Sequence, residues 1–297
     1  MTRHQIEPFS NGSFSVRNLE LNECMHSSIG PWTEAQLIYL EQSQVLNRIT
    51  ETFTAPNPQT RPFVIYDVGL GIAANSLAVL ELLTETKSQE ILGLEPKVIL
   101  MSFETDLEGI KNATQHPELF PFLTRNSATI SYLLEHRSWS RQLASGIELH
   151  WELKIGDFRS HLAQCLPADL IFFDLYSPKS CPDLWGLQTF RSLSQKTYPP
   201  ELSEGRETQL ITYTASTAVR AALMLSGFYV GRGVSTPGKK ETTLASTRLS
   251  SLQESLSQSW IEHWQRSSKP LPPDYLGPLT EADRELILSK IKNSSKI

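Results

Sequence analysis

Phe63-Val64-Ile65-Tyr66-Asp67-Val68-Gly69-Leu70-Gly71-Ile72-Ala73-Ala74-Asn75 reads as a strand, a tight loop and the start of a helix. The apolar run predicts a buried strand, and the glycines let the backbone turn and come close to something bound at the strand's carboxyl end. Gly69, Gly71 and Ala74 satisfy the dinucleotide spacing G-x-G-x-x-G/A. That fingerprint expects an acid on the ribose about 20 residues further on, whereas Glu104 lies well beyond that spacing. Asp67 stands where a pyrophosphate would approach, and a carboxylate there repels phosphate. A nucleoside cofactor without phosphate and with a cationic end suits the loop better. S-adenosylmethionine is such a molecule, with Asp67 for its ammonium and Glu104 for its ribose hydroxyls. The plainer reading is a tight turn in an ordinary α/β domain, with Asp67 capping the helix.

Outward from this loop, strand-like and helix-like segments alternate, which indicates a doubly wound α/β sheet. After Phe63–Val68 the expected strands are 98–104, 147–155, 169–174 and 209–214. Residues 216–225 read as a helix closed by Gly227. Residues 228–230 and 241–246 flank a Gly/Pro-containing loop and predict a closing antiparallel hairpin. The whole resembles the seven-stranded, Rossmann-like arrangement of many methyltransferases, a likeness of fold that does not itself give a function. Residues 1–60 read as a loop-and-helix lid ending at the breaker-rich Ala55-Pro56-Asn57-Pro58-Gln59-Thr60. Residues 61–249 read as a Rossmann-like, methyltransferase-type domain, with residues 106–141 helical but broken near Pro117 and Pro121, and 250–297 as a polar tail with a helix near 280–292.

Ligands bind at the carboxyl ends of strands in such sheets. There the chain sets Asp67, Glu104, Gly156-Asp157, Asp174 and Thr212-Tyr213-Thr214. Asp157 suits an adenine, because a carboxylate accepts from the exocyclic amine. Asp174 suits an amine nucleophile, positioning it first and accepting its proton second. Each acid also has a dull explanation as a turn residue, as has His26 as a structural histidine.

Composition narrows the classes. The chain has 297 residues, 39% of them hydrophobic, and a net charge of −5, so nucleic acid could be held only by a local basic patch. No run is long enough to span a membrane. Cys24, Cys165 and Cys181 are odd in number and without metal-type spacing, which fits reduced thiols, a cytoplasmic location and no metal. Neither a G-x-S-x-G nor a P-loop motif is present. Oligomeric state is not legible.

Phe172-Phe173-Asp174-Leu175-Tyr176-Ser177-Pro178-Lys179-Ser180-Cys181-Pro182-Asp183-Leu184-Trp185 and Thr212-Tyr213-Thr214-Ala215-Ser216-Thr217-Ala218-Val219-Arg220 resemble runs of a known family, as do Met25-His26-Ser27, the segment from Gly30 to Glu34, and Gly238-Lys239-Lys240-Glu241. It is the methyltransferase half of the bifunctional tRNA 5-methylaminomethyl-2-thiouridine biosynthesis proteins, with its stand-alone relatives. The resemblance covers most of residues 24–275. It implies an S-adenosylmethionine-dependent enzyme that methylates the amine of 5-aminomethyluridine at a tRNA wobble position. Asp174 would be catalytic, with Asp67, Gly69, Gly71, Glu104 and Asp157 on the cofactor. Tyr176, Pro178, Lys179, Trp185, Arg232, Lys239 and Lys240 would face the tRNA. The family's third loop glycine is missing here. Nor is there room for the oxidase half that frees the amine, so another route would supply it. A methyltransferase for a small amine and a non-catalytic cofactor-binding protein remain the alternatives.

Overall fold

The computed structural model describes residues 3–54, 61–86, 95–198, 206–237 and 239–292. Residues 55–60, where the lid was expected to end, and Gly238 of the hairpin loop lie outside them. The chain divides into two compact units, residues 1–161 with 170–174, and residues 162–169 with 175–297.

The first unit opens with a three-stranded antiparallel sheet of β1 (His4–Pro8), β2 (Phe14–Asn18) and β3 (Glu23–Cys24). The sequence reading had only loop and helix here. These strands are short and carry too few apolar residues to show a period of two. Then come α1 (Pro31–Glu34), a π-helical stretch at Ala35–Glu41, and α2 (Val45–Thr54). Proline in the first turn of α1 supplies a preset φ where no N–H is needed.

β4 (Phe63–Val68) is buried along its whole length, as an interior parallel strand should be. It pairs in parallel with β5 (Lys97–Glu104) and with β8 (Leu170–Phe173). β5 pairs in parallel with β7 (Glu148–Ile155), whose other edge takes antiparallel β6 (Ser138–Gln142). The register sets Val68 opposite both Phe103 and Phe173. The residues that follow them, Glu104 and Asp174, are therefore level with the start of the glycine loop. Helices α3 (Ala74–Glu85), α4 (Glu108–Thr114), α5 (Pro121–Arg125), α6 (Ser127–His136) and α7 (Phe158–His161) join the strands. Residues 106–141 are thus not helical to their end. Arg137, at φ 64, stops α6, and the mostly exposed Ser-Trp-Ser-Arg-Gln of β6 follows. Such a strand has no apolar face to betray it and owes its existence to β7.

In the second unit β11 (Thr243–Ser246) lies between β9 (Gln209–Thr212) and β10 (Tyr229–Arg232), antiparallel to both. β10 therefore runs parallel to β9, and its hairpin loop returns at β9's carboxyl edge. α9 (Thr217–Leu225) ends in a Schellman turn: Gly227, at φ 102, donates to the Met224 carbonyl and Phe228 to that of Leu223. α8 (Leu187–Ser194) has its first N–H groups capped by Asp274, at 2.8 and 2.9 Å. α10 (Gln258–Arg266), which the sequence reading missed, and α11 (Glu281–Lys292) lie in the tail. The fold is the expected doubly wound, Rossmann-like α/β arrangement with a closing antiparallel hairpin. Among the described residues the sheet has eight strands, the expected seven and antiparallel β6 at the β7 edge. No helix among the described residues is long and apolar enough to cross a membrane.

Candidate active site

The loop between β4 and α3 has three left-handed residues: Gly69 at φ 96, Gly71 at φ 55 and Ala73 at φ 64. Ala73 occupies the place of the missing third glycine and takes the conformation a glycine would, at a steric cost of roughly 1–2 kcal/mol. The loop is pinned from β5. Gly69 and Leu70 donate to the Phe103 carbonyl at 3.0 and 3.1 Å, and Gly71 donates to Glu104 Oε2 at 2.9 Å. Met25 and His26, from the segment after β3, lie just under 4 Å from where a Gly71 side chain would begin.

Asp67 faces inward. It has no exposed surface, and its Oδ2 accepts from Ser76 at 2.5 Å and from Ser102 at 3.1 Å. Ser102 in turn accepts from the Trp151 indole at 2.9 Å. Oδ1, buried too, has no hydrogen-bond partner among the described residues. Burial pushes the Asp67 carboxyl up to about 7, against the serine hydrogen bonds that favour its ionised form. Direct contact with an ammonium, the role expected of Asp67, does not match this burial. It braces β4, β5 and α3 beneath the loop.

Glu104 remains half-buried at the end of β5, its Oε1 accepting from the Thr105 N–H at 2.7 Å. Burial raises its pKa although three backbone N–H groups favour the charged form. Asp157 opens α7 after Gly156, whose φ of 116 makes the turn. Arg159 holds the Asp157 carboxylate with both Nε and a terminal nitrogen, and keeps its pKa below the usual range. Beside it Phe158 sets its ring edge against Phe103 and Phe173, an apolar floor under the strand ends.

Asp174 is half-buried, and its Oδ2 accepts from Asn75 Nδ2, in the first turn of α3, at 2.9 Å. Its carboxyl is pushed up to about 7, first by burial and then by Glu34, with Asp67 adding to the effect. Glu34 comes from α1 and is almost wholly buried. Its Oε2 accepts from both the backbone N–H and the hydroxyl of Ser27, at 2.8 and 2.9 Å. Tyr39, on the π-helical stretch, meets Phe172 edge-on at 5.2 Å. Sequence reasoning assigned no role to Glu34, Tyr39, Asn75 or Ser76, although Asn75 ends the glycine-loop stretch and Glu34 closes the segment from Gly30 that resembles the family. His26 hydrogen-bonds Ser15, and burial lowers its pKa to about 4, so it is neutral at physiological pH.

The charges that shift Asp67 and Asp174 are themselves carboxylates. Such a cluster suits a ligand carrying positive charge and opposes a pyrophosphate. A buried carboxylate oxygen without a donor, as at Asp67, costs on the order of 1–3 kcal/mol, and nearby positive charge offsets that. The donor set fits S-adenosylmethionine, which has a sulfonium and an ammonium.

The remaining expected residues belong to the second unit. Trp185 is 2% exposed, too deep to meet a substrate. Its indole donates to the Tyr176 carbonyl at 2.7 Å and so closes the 176–185 loop from within. Its ring also meets that of Tyr213 edge-on, and the Lys239 ammonium sits over the Tyr213 ring, 3.9 Å from its centroid. Arg232 is neutralised by Glu241 at 2.7 Å and Glu254 at 3.5 Å. The fully buried Arg220 holds Glu241 from the other side, at 2.8 Å. Of the expected basic patch, Lys179 and Lys240 are exposed, and Tyr176 and Pro178 half-buried.

A family model described as S-adenosyl-L-methionine-dependent methyltransferase matches residues 124–248. Two curated relatives are tRNA 5-methylaminomethyl-2-thiouridine biosynthesis bifunctional proteins MnmC. That of Polaromonas naphthalenivorans is 30% identical over 133 residues, 44% of this chain and 20% of the relative. That of Pseudomonas fluorescens is 26% identical over 225 residues, 75% of this chain and 31% of the relative. The chain thus spans a third or less of the length of these relatives. Among solved structures, MnmC2 from Aquifex aeolicus matches with a TM-score of 0.67 and 20% identity, over 100% of this chain and 87% of that one. That match speaks for the fold.

Proposed function

We propose that this S-adenosylmethionine-dependent methyltransferase methylates the primary amine of 5-aminomethyluridine, with or without the 2-thio group, at the wobble position of cytoplasmic tRNA. Asp174 carries the reading. It closes β8 at the head of the run 172–185 and offers a partly open carboxylate, steadied by Asn75, amid further acids. The MnmC names of the curated relatives support the acceptor.

Bound S-adenosylmethionine supplies a methyl group on positively charged sulfur, activated toward a neutral amine. Glu104 takes the ribose hydroxyls and Asp157 the adenine amine, over the floor made by Phe158. Asp67 acts from beneath, bracing the glycine loop and adding negative charge. Asp174 accepts an N–H of the acceptor amine and steers its lone pair. Placement and exclusion of water supply most of the acceleration, since the transfer needs little covalent help. Lys179, Lys239 and Lys240 meet the tRNA phosphates.

A second reading, a small amine as acceptor, is favoured by the neutralisation of Arg232 and the net charge of −5. Nucleoside analysis after reaction with tRNA bearing aminomethyluridine separates the two. The tRNA reading expects the methylated wobble nucleoside and loss of transfer after ribonuclease treatment. Transfer to free amines that survives ribonuclease and high salt would replace it with the second.

A further inference from the structure

β1 is an edge strand of the N-terminal sheet and packs on α4. Asn112 of α4 donates to the His4 carbonyl at 3.1 Å and fixes the strand on the helix. The His4 side chain is 4% exposed, and its buried Nδ1 has no hydrogen-bond partner among the described residues. That nitrogen faces Glu108 Oε2 at 3.6 Å, beyond hydrogen-bond range. Asp106 Oδ1 accepts from the Glu108 N–H at 2.7 Å, which leaves Oδ2 for the same space. One ligand atom from each of His4, Asp106 and Glu108 lies within 4.8 Å of the other two. Arg3 enters from the exposed side, 3.0 Å from Asp106 Oδ2 and 3.4 Å from Glu108 Oε2. One guanidinium balances only one of the two carboxylate charges, and it leaves the histidine nitrogen unpartnered.

We infer that His4, Asp106 and Glu108 form a binding site for a divalent transition-metal ion such as zinc, which pins β1 to α4 just after Glu104 in the chain. Zinc takes imidazole nitrogen and carboxylate oxygen at about 2.0–2.2 Å, and three protein ligands leave a fourth position for water. Ligand atoms at that radius stand roughly 3.4 Å apart, so His4 and Glu108 already have their bound spacing. Asp106 closes on them by rotation of its side chain. Two carboxylates and a neutral imidazole carry a charge that a divalent ion balances in full, as a single guanidinium does not. The nitrogen ligand selects the metal: imidazole suits zinc and its neighbours, whereas magnesium and calcium take oxygen. Arg3, 49% exposed, gives way to the ion and moves into solvent. Cysteine spacing gave the sequence reading no reason to expect a metal, and only folding brings His4 to the two acids.

The test is calorimetric titration of Zn2+ into the metal-stripped full chain, with Mg2+ and Ca2+ as controls. The wild type should bind one equivalent of Zn2+ in the micromolar range or tighter. His4→Ala, Asp106→Asn and Glu108→Gln should each weaken that equivalent by more than about tenfold. The two acid variants change side chains that reach solvent, so they test the site even if His4→Ala does not fold. Arg3→Ala should keep or tighten binding, because the guanidinium and the ion compete for the same two oxygens. Zinc at a hundredfold excess over Kd should raise the wild-type Tm by on the order of 5 °C and leave that of Asp106→Asn unmoved. A wild type that binds no zinc overturns the site. So does binding undiminished in folded Asp106→Asn and Glu108→Gln, which marks surface ligands elsewhere, or binding lost in Arg3→Ala. Equal affinity for Mg2+ or Ca2+ overturns the part given to His4. The titration needs neither acceptor nor S-adenosylmethionine, so its outcome is independent of the function proposed above.

Discussion

At the scale of single residues, the site holds three acids whose ionisation folding opposes, Asp67, Glu104 and Asp174, beside Asp157, whose ionisation Arg159 favours. Asp67 and Asp174 titrate near 7 in the folded chain, chiefly through burial, against about 4 in an unfolded one. A raised folded pKa means that the associated stability is complete below the unfolded value and is lost as pH rises through 7. The cofactor-free protein should therefore melt at a lower temperature at pH 8 than at pH 6, by on the order of a few kcal/mol in stability. A ligand bearing positive charge favours the ionised acids, so S-adenosylmethionine should raise the melting temperature more at pH 8 than at pH 6. Thermal melts at both values, with and without it, check the sign. Asp67 also shows where residue-level reading stops. Its place before the glycines was plain in the sequence, but its direction was decided by Ser76 and Ser102. Nothing local in the chain marks a serine as the partner of a distant acid.

At the scale of elements, backbone geometry persists where the residue type departs. Ala73 keeps a left-handed turn without a glycine, so the altered loop holds the same path at the cost of strain. Ala73→Gly should relieve that strain, roughly 1–2 kcal/mol, and give back part of it to unfolded-state entropy. A net gain of about 0.5–1 kcal/mol in denaturant unfolding, with cofactor affinity kept, is expected. Asp274 links a tail residue to α8 by capping its first turn. Asp274→Ala should cost about 1 kcal/mol in the same measurement. The central strands and the closing hairpin were legible because burial on both faces leaves long apolar runs, as in Phe63–Val68. β6 and the N-terminal sheet were not, because short polar strands take their identity from a partner.

At the scale of the whole molecule, charge sets how tRNA would be held. The chain has a net charge of −5, and Arg232 is already bound to two glutamates. In the proposed complex Lys179, Lys239 and Lys240 supply a contact or two to phosphates. Raising salt from 50 to 200 mM should weaken tRNA binding by only about tenfold, against a thousandfold or more for a surface making six or more phosphate contacts. Affinity measured across that salt range tests this. The most direct test of the central claim is transfer of radiolabelled methyl from S-adenosylmethionine to tRNA from cells lacking the wobble-uridine methylating activity, with Asp174→Ala run in parallel. Label in the wobble nucleoside, lost by about 100-fold or more in the variant, is the predicted result. Absence of label from the wild type while calorimetry shows the cofactor bound, or full activity in Asp174→Ala, would contradict it.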